Sequence, residues 1–446
     1  MALTGIQIFK LLPKTNCGEC KFPTCLAFAM ALAAAKAELD ACPHVSDEAR
    51  DQLSDASAPP IRQVSIGTGD YGIKIGGETV MFRHEKTFFN KPGIAILITD
   101  SMDDDEIDKR FSKPGQFQYE RVGLTLSPEL FALKETGNKE KFLNMVKKAC
   151  TEPYGIILIS GDPAIMKEAL EIAKDRKPLI YAATGANYEA FGMLAKEYAC
   201  PLAVKGQGID EVAGLTDKLS GMGLKDLVID TSTRTLKEGL HEQIIIRRAA
   251  LLSKMKPLGF PTITFPCEMT DDVMKEALIA STFIAKYAGI IVLSDFSGES
   301  LFPLLLQRLN IYTDPQRPMT TKEGIYPINN PDENSPILVT CNFSLTYFIV
   351  SGEIENSRVP AWLCVMDTEG LSVMTAWAAG KFVGDTVGAF IKKCDIAEKI
   401  THKKVIIPGY SAAILGDLEE ELPGWEILIG PREAAHLPAY LKTWKT

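Results

Sequence analysis

The chain has 446 residues, with 48 Lys+Arg against 57 Asp+Glu and a formal net charge of −9. That balance excludes a polycation: nucleic acid or an anionic membrane calls for a clustered basic face, and no long Lys/Arg block occurs. At roughly 100–200 residues per domain, and with 46% hydrophobic residues, the length predicts two to four cored domains. The most apolar early stretch, 26–35, is far shorter than the ~20 residues that cross a bilayer, and Cys17 and Cys20 stand where a signal peptide would lie. These features predict a cytoplasmic chain with small-molecule or protein partners, no nucleic acid and no membrane. Ten cysteines are too sparse for a disulfide scaffold, and four of them fall within the first 42 residues.

Residues 1–58 hold this cluster and a helical pattern that stops in the turn-prone Ser-Asp-Ala-Ser-Ala-Pro-Pro of 54–60, read as a linker. Residues 59–92 continue as linker and short strands. They contain a formal G-x-G-x-x-G at Gly67, Gly69 and Gly72. A dinucleotide fingerprint needs a helix after it, whereas Ile73-Lys74-Ile75-Gly76-Gly77 continues as strand and turn, which predicts a hairpin.

Across 93–326, short apolar runs at 93–99, 121–126, 155–160, 178–183, 201–205, 226–229, 262–266 and 289–294 alternate with helical periodicity. Eight strand–helix units in about 230 residues predict a TIM (β/α)8 barrel. Its least regular part is the acidic stretch 101–110, short for a crossover helix. In 327–446, where all four tryptophans fall, the runs 336–340, 361–366, 404–407 and 426–429 predict an open parallel α/β sheet of Rossmann or flavodoxin-like type. Such sheets bind ligands beyond the carboxyl ends of their strands, which singles out the loops 340–346, 367–374, 409–414 and 430–436.

The chemistry is concentrated in Cys17, Cys20, Cys25 and Cys42, a C-x2-C-x4-C-x16-C pattern whose long spacer is Ala-rich and helical and can return Cys42 to the other three. Soft thiolates select zinc or an iron–sulfur cluster, and an all-cysteine set without carboxylate or imidazole suits [4Fe–4S]. A zinc knuckle shares the opening spacing but closes sooner or supplies a second C-x2-C. His44 reads as solvated. Cys150, Cys200, Cys341, Cys364 and Cys394 read as small core residues. Asp100, Lys205, Asp230, Cys267, Glu268 and Asp295 follow barrel strands at the face where barrel enzymes place their active sites. A catalytic barrel therefore stands beside the plainer reading, in which acidic strand ends cap the next helix. Gly409-Tyr410-Ser411-Ala412-Ala413, with His436 downstream, has the outline of a nucleophile elbow, but Ala413 stands where that turn needs Gly.

One further set of residues is specific: Gly5-Ile6-Gln7-Ile8-Phe9-Lys10-Leu11-Leu12-Pro13, Thr15-Asn16-Cys17-Gly18-Glu19-Cys20, Pro23-Thr24-Cys25, Ala41-Cys42-Pro43 and Asp367-Thr368-Glu369-Gly370-Leu371-Ser372-Val373. With them the whole chain resembles the large (gamma) subunit of the corrinoid iron–sulfur protein of the reductive acetyl-CoA (Wood–Ljungdahl) pathway, part of the acetyl-CoA decarbonylase/synthase system. The resemblance implies a small [4Fe–4S] domain, a TIM barrel and a C-terminal corrinoid-binding domain, in this order. It implies a methyl carrier rather than a stand-alone catalyst. Cobalt accepts methyl from methyltetrahydrofolate through a methyltransferase and donates it to acetyl-CoA synthase, while the cluster, bound by the four cysteines, returns inactive Co(II) to Co(I).

Most cobalamin-binding domains carry D-x-H-x-x-G, and this sequence has no such motif. The family binds its corrinoid without a protein His on cobalt, which favours reduction. The resemblance carries corrinoid contacts onto Thr340, Thr346, Gly370, Leu371, Ser372, Val373 and Glu433, with Gly409, Tyr410, Ser411 and Ala412 as further candidates. It also implies a heterodimer with a small subunit. The competing expectation is an independent TIM-barrel methyltransferase that uses a pterin and has an auxiliary iron–sulfur cluster.

Overall fold

In the computed structural model the residues described are 4–33, 37, 39–46, 49, 53, 59–121, 124–314 and 319–444. The chain divides into two compact units, Met1–Gln118 with Ser127–Tyr312, and Tyr119–Leu126 with Thr313–Thr446. Most of the linker expected at 54–60 lies outside the described residues.

The first unit opens with α1 (Gly5–Leu11), whose start is fixed by a capping box between Thr4 and Gln7. Next comes α2 (Cys25–Ala33), the described part of the expected Ala-rich helix. Ile8, Leu12, Phe28, Ala29, Val45 and Leu53 form a small core with Cys20, Cys25 and Cys42. In the stretch 59–92, β1 (Val64–Ile66) and β2 (Ile73–Ile75) pair antiparallel. The glycine-rich stretch is thus the turn of a hairpin, as its flanking residues predicted.

Eight parallel strands follow. They are β3 (Gly93–Thr99), β6 (Leu130–Lys134), β7 (Gly155–Ile159), β8 (Leu179–Ala183), β9 (Leu202–Lys205), β10 (Leu227–Asp230), β11 (Ile263–Thr264) and β12 (Ile290–Leu293). They form one sheet in chain order, and a parallel bridge from Ile229 to Thr262 joins β10 to β11, which makes the expected (β/α)8 ring. Alternate residues, among them Ala95, Ala132, Ile157, Leu179, Ala203, Val228 and Val292, point inward into one buried cluster with Val64, Ile66 and Ile75 of the hairpin. The hairpin therefore plugs the end where the strands begin. A Cβ at Gly93 would come within 2.6 Å of Ile73 Cδ1, so a larger residue there would make the Ile73 side chain of the plug shift.

Two expectations are corrected. The run 121–126 is not the second barrel strand. Its described residues lie in a small antiparallel hairpin, β4 (Tyr119–Arg121) with β5 (Leu124–Leu126), that belongs to the second unit, where the Arg121 guanidinium sits 4.0 Å from the Phe348 ring centroid. The barrel strand is β6, whose residues 130–133 are fully buried. The acidic stretch after β3 starts a full helix, α3 (Asp104–Gln116), capped by Asp103 and favoured by Asp104, Asp105 and Glu106 at its positive end.

In the second unit β13 (Gly324–Ile328), β14 (Ile337–Cys341), β15 (Ala361–Met366), β16 (Lys404–Ile407) and β17 (Glu426–Ile429) make a sheet ordered β13-β15-β14-β16-β17. The four expected strands are parallel, and β13 is an added antiparallel edge. The boundary expected at 326/327 therefore falls inside a strand. Pro327 sits in that edge strand, where a missing N–H is tolerated. Because β15 lies on one side of β14 and β16 on the other, the chain reverses direction across the sheet between β14 and β16.

Candidate functional site

Among the four clustered cysteines, Cys17 is exposed and Cys20, Cys25 and Cys42 are buried, all as free thiols. Cys25 is the first residue of α2. The loop before it is tightly curled, with left-handed backbone at Lys14, Asn16, Gly18 and Lys21. It is tied to the helix by Cys25 N donating to Asn16 Oδ1 at 2.8 Å and Asn16 N donating to Cys25 Sγ at 3.4 Å. Curled backbone of this kind can gather N–H groups around an anionic centre, and the three buried thiols share one core, so the donor set suits a soft-metal centre. Cys17 Sγ also lies with Glu19 and His44 in a group whose ligand atoms are all within 4.8 Å of one another. His44 is partly exposed and paired with Glu19 at 3.1 Å.

The charged barrel mouth is engaged with itself. Asp100 is buried and accepts the backbone N–H groups of Thr136 and Asn138 at 2.9 Å, and so braces the start of the next helix. Asp295 pairs with Lys113, Glu268 with Lys134 and Arg234, and Asp230 with Arg234 and the Tyr181 hydroxyl. Lys205 Nζ sits 5.8 Å from the Tyr181 ring centroid. Burial foremost, then Glu268 and Glu276, pushes the Cys267 thiol up to about 12. Cys267 is therefore expected to resist alkylation at about pH 8, where only roughly one part in 10⁴ is thiolate. Peptide mass spectrometry after iodoacetamide should find Cys17 of metal-free chain modified first, and equal labelling would contradict this.

The second unit holds a cavity of ≈ 350 Å³ at the carboxyl ends of β14 and β16, the point at which the strand order reverses. Thr340, Thr346, Ser372, Val373, Tyr410 and Glu433 line it, all of them expected site residues. Gly370, Leu371, Gly409, Ser411 and Ala412 do not. Leu371 packs against the core, and Ser411 is buried and donates to the Pro408 carbonyl at 2.7 Å. That bond occupies its hydroxyl proton, so the elbow outline has no nucleophile behind it. Tyr410 donates to Glu433 Oε1 at 3.3 Å, joining two of the lining loops.

Gly409 shapes the wall without lining it. A Cβ there would lie 2.5 Å from the Gly430 carbonyl and 2.7 Å from Arg432 N, which lets the 409–414 and 430–436 loops touch. Gly409→Ala is expected to push these loops apart and cost about 1–3 kcal/mol. Denaturant unfolding of the full chain would measure it, and an unchanged midpoint would refute the close-approach role.

The sequence pointed to the loops but not to the apolar wall. Ile349 and Val350 follow Thr346 by three and four residues on α11 (Ser344–Ser357), so helical spacing from Thr346 was the available signal. Leu338, Ile406 and Met374 complete a largely apolar surface. Leu345, Ile349, Met374, Trp377 and Tyr410 leave this unit with a group of exposed large apolar side chains. Neither His402, which sits 3.0 Å from the Ser335 carbonyl, nor His436 is among the lining residues.

Fold and site define a class: a cysteine-rich segment ahead of a (β/α)8 barrel and an open sheet with a switch-point cavity. Residues 63–441 match the family model described as "CO dehydrogenase/acetyl-CoA synthase delta subunit", and residues 12–44 match one described as "Putative Fe-S cluster". The chain is 43% identical to the corrinoid/iron-sulfur protein large subunit of Moorella thermoacetica, over 99% of both chains. It is 36% identical to the acetyl-CoA decarbonylase/synthase complex subunit gamma of Methanopyrus kandleri, over 99% of this chain and 97% of that one. It is also 36% identical to the gamma subunit of Archaeoglobus fulgidus, over 98% of both. The chain belongs to the family of corrinoid/iron–sulfur protein large subunits and acetyl-CoA decarbonylase/synthase gamma subunits. Among the described residues no helix is long and apolar enough to cross a membrane.

Proposed function

We propose that the chain is a methyl-group carrier that holds a cobalt corrinoid at the switch-point cavity and a [4Fe–4S] cluster on Cys17, Cys20, Cys25 and Cys42. The observation that carries this is the coincidence of a cavity at the strand-order reversal with full-length similarity to relatives named for a corrinoid and an iron–sulfur centre. The cobalt supplies a centre that takes methyl derived from methyltetrahydrofolate, through a separate methyltransferase, and passes it to acetyl-CoA synthase. A cluster held by the four cysteines would supply a one-electron centre for reducing the cobalt.

The chain's own residues bind and orient. The apolar wall of Leu338, Ile349, Val350 and Met374 receives the macrocycle's hydrocarbon, while Thr340, Thr346, Ser372 and Glu433 meet its amide side chains. The exposed apolar side chains near the cavity suit a small subunit that closes over the ligand.

The test is the visible and low-temperature EPR spectrum of anaerobically purified chain, co-expressed with the small subunit, before and after reduction. Corrinoid absorption, a base-off Co(II) signal and a reduced [4Fe–4S]⁺ signal are expected. Iron without corrinoid would overturn the carrier role, and zinc without iron would overturn the cluster. Methyltetrahydrofolate turnover by this chain alone would instead favour a barrel methyltransferase. The self-paired barrel mouth speaks against that outcome.

A further inference from the structure

We propose that Asn342 is the positioning residue of the ligand site: its carboxamide, one residue past β14, holds the 367–371 turn after β15 in the shape that presents Ser372 and Val373 to the cavity. Asn342 is buried, at 4% exposure, and touches the turn in both polarities. Its Oδ1 accepts the backbone N–H of Thr368 at 3.0 Å and that of Gly370 at 3.0 Å. Its Nδ2 donates to Asp367 Oδ1 at 2.8 Å, an oxygen that also accepts the N–H of Glu369 at 2.8 Å. Thr368 Oγ1 stands 3.0 Å from the same Asn342 oxygen and 2.8 Å from the Leu371 carbonyl, which further ties the turn together.

The turn requires this outside support because its local geometry is unfavourable. Glu369 and Gly370 both have left-handed backbone, with φ of +56° and +76°, and only the second is a glycine. Thr368 is fully buried, so its N–H has no water to fall back on if Asn342 is lost. A carboxamide is the one short side chain with a donor and an acceptor on the same carbon. Aspartate at 342 would face the Asp367 carboxylate with a second negative oxygen, and an aliphatic residue would leave the two buried N–H groups unpaired. Beyond the turn, Ser372 and Val373 line the cavity and α12 (Val373–Ala378) begins, carrying Met374 in the same wall. Thr340, two residues before Asn342, lines that wall too, so a single strand end supplies one ligand-facing group and fixes the loop that supplies the next.

Asn342's consequence for a ligand rests on the corrinoid reading above, while its hold on the turn does not, and two measurements on the full-length chain separate them. The first is hydrogen exchange of the peptide spanning 367–373 without ligand. The second is titration with hydroxocobalamin, followed by visible absorbance. In Asn342→Asp the exchange of this peptide is expected to speed up roughly tenfold or more, and cobalamin affinity to fall by about the same factor. The double variant Asn342→Asp with Asp367→Asn returns one donor facing one acceptor and keeps the oxygen for Thr368 and Gly370, and it gives up only the acceptor of the exposed Glu369 N–H. It is expected to restore a large part of both measures, a rescue that simple loss of a core residue would not permit.

Exchange in Asn342→Asp equal to wild type overturns the proposal, as does a folded double variant no better than the single one. Faster exchange with unchanged cobalamin affinity removes the role at the ligand. A wild-type chain that binds no cobalamin overturns the corrinoid assignment, and the exchange data then still decide whether Asn342 holds the turn.

Discussion

Replacing Cys25 or Cys42 by serine is expected to leave purified chain almost without stoichiometric iron and inorganic sulfide, while the barrel unfolds at its wild-type midpoint. Both thiols are buried in the same small core as Ile8, Phe28 and Leu53. In a segment this small, metal binding by these thiols would be coupled to local folding. Hydroxyl oxygen is a harder and poorer donor than thiolate to iron in a cluster, so a large loss is expected. Cys150→Ser and Cys200→Ser, each far along the chain in barrel segments, should retain full iron. Iron and sulfide analysis with visible absorption decides the matter, and full retention in the Cys25 variant would remove it from the ligand set.

Glu129→Gln is expected to destabilise the barrel by about 3–5 kcal/mol, because it strands a buried cation. Arg308 on α10 (Gly298–Ile311) is 2% exposed and meets Glu129 with two parallel bonds of 2.7 Å. The same guanidinium donates to the Pro92 carbonyl at 2.8 Å and the Ser127 carbonyl at 2.9 Å, which ties the last barrel helix to the segments that lead into β3 and β6. At about 2–4 °C per kcal/mol for a unit of this size, the thermal midpoint should fall on the order of 10 °C. Removing both partners, with Arg308→Met added, should cost less than the single change, and a single change costing under about 1 kcal/mol would refute the pair's importance.

The pair also sets an acid limit. Burial alone would raise the Glu129 carboxyl, but Arg308 and Lys91 outweigh it and hold the group below its ordinary value. A carboxyl depressed in the folded state stabilises fully above its unfolded pKa of about 4.3, and that contribution disappears as pH falls through the lower folded value. Wild-type chain should therefore lose stability on acidification below about pH 4 more steeply than Glu129→Gln does, as followed by unfolding midpoints across that window.

Several elements could be read from local pattern because burial on both faces demands it. Gly93-Ile94-Ala95-Ile96-Leu97-Ile98-Thr99 can only be an interior strand, and its repetition at near-regular spacing implied the barrel. Of the C-terminal strands, β14, β15 and β16 were readable in the same way, whereas β17 is an edge strand with Glu426 and Ile429 exposed. Where the pattern failed, pairing had decided. Runs 121–126 and 130–134 are both short and β-prone, but only the second is buried on both faces, and the first pairs with itself as a hairpin in the other unit. Pro327 reads as a strand breaker until its strand proves to be an antiparallel edge.

By itself the sequence singled out four cysteines at a metal-ligand spacing, the strand–helix alternation, and the loops at which a ligand would be sought. These follow from residue chemistry and from periodicities of two and 3.6 residues, which act over neighbours in the chain. Only the tertiary structure decided that β14 lies between β15 and β16, that Thr346, Ile349 and Met374 share one wall, and that Asn342 reaches across to hold Thr368 and Gly370. Strand order and hydrogen bonds between residues some 26 positions apart are set by which surfaces pack together in space, and no local propensity records that choice.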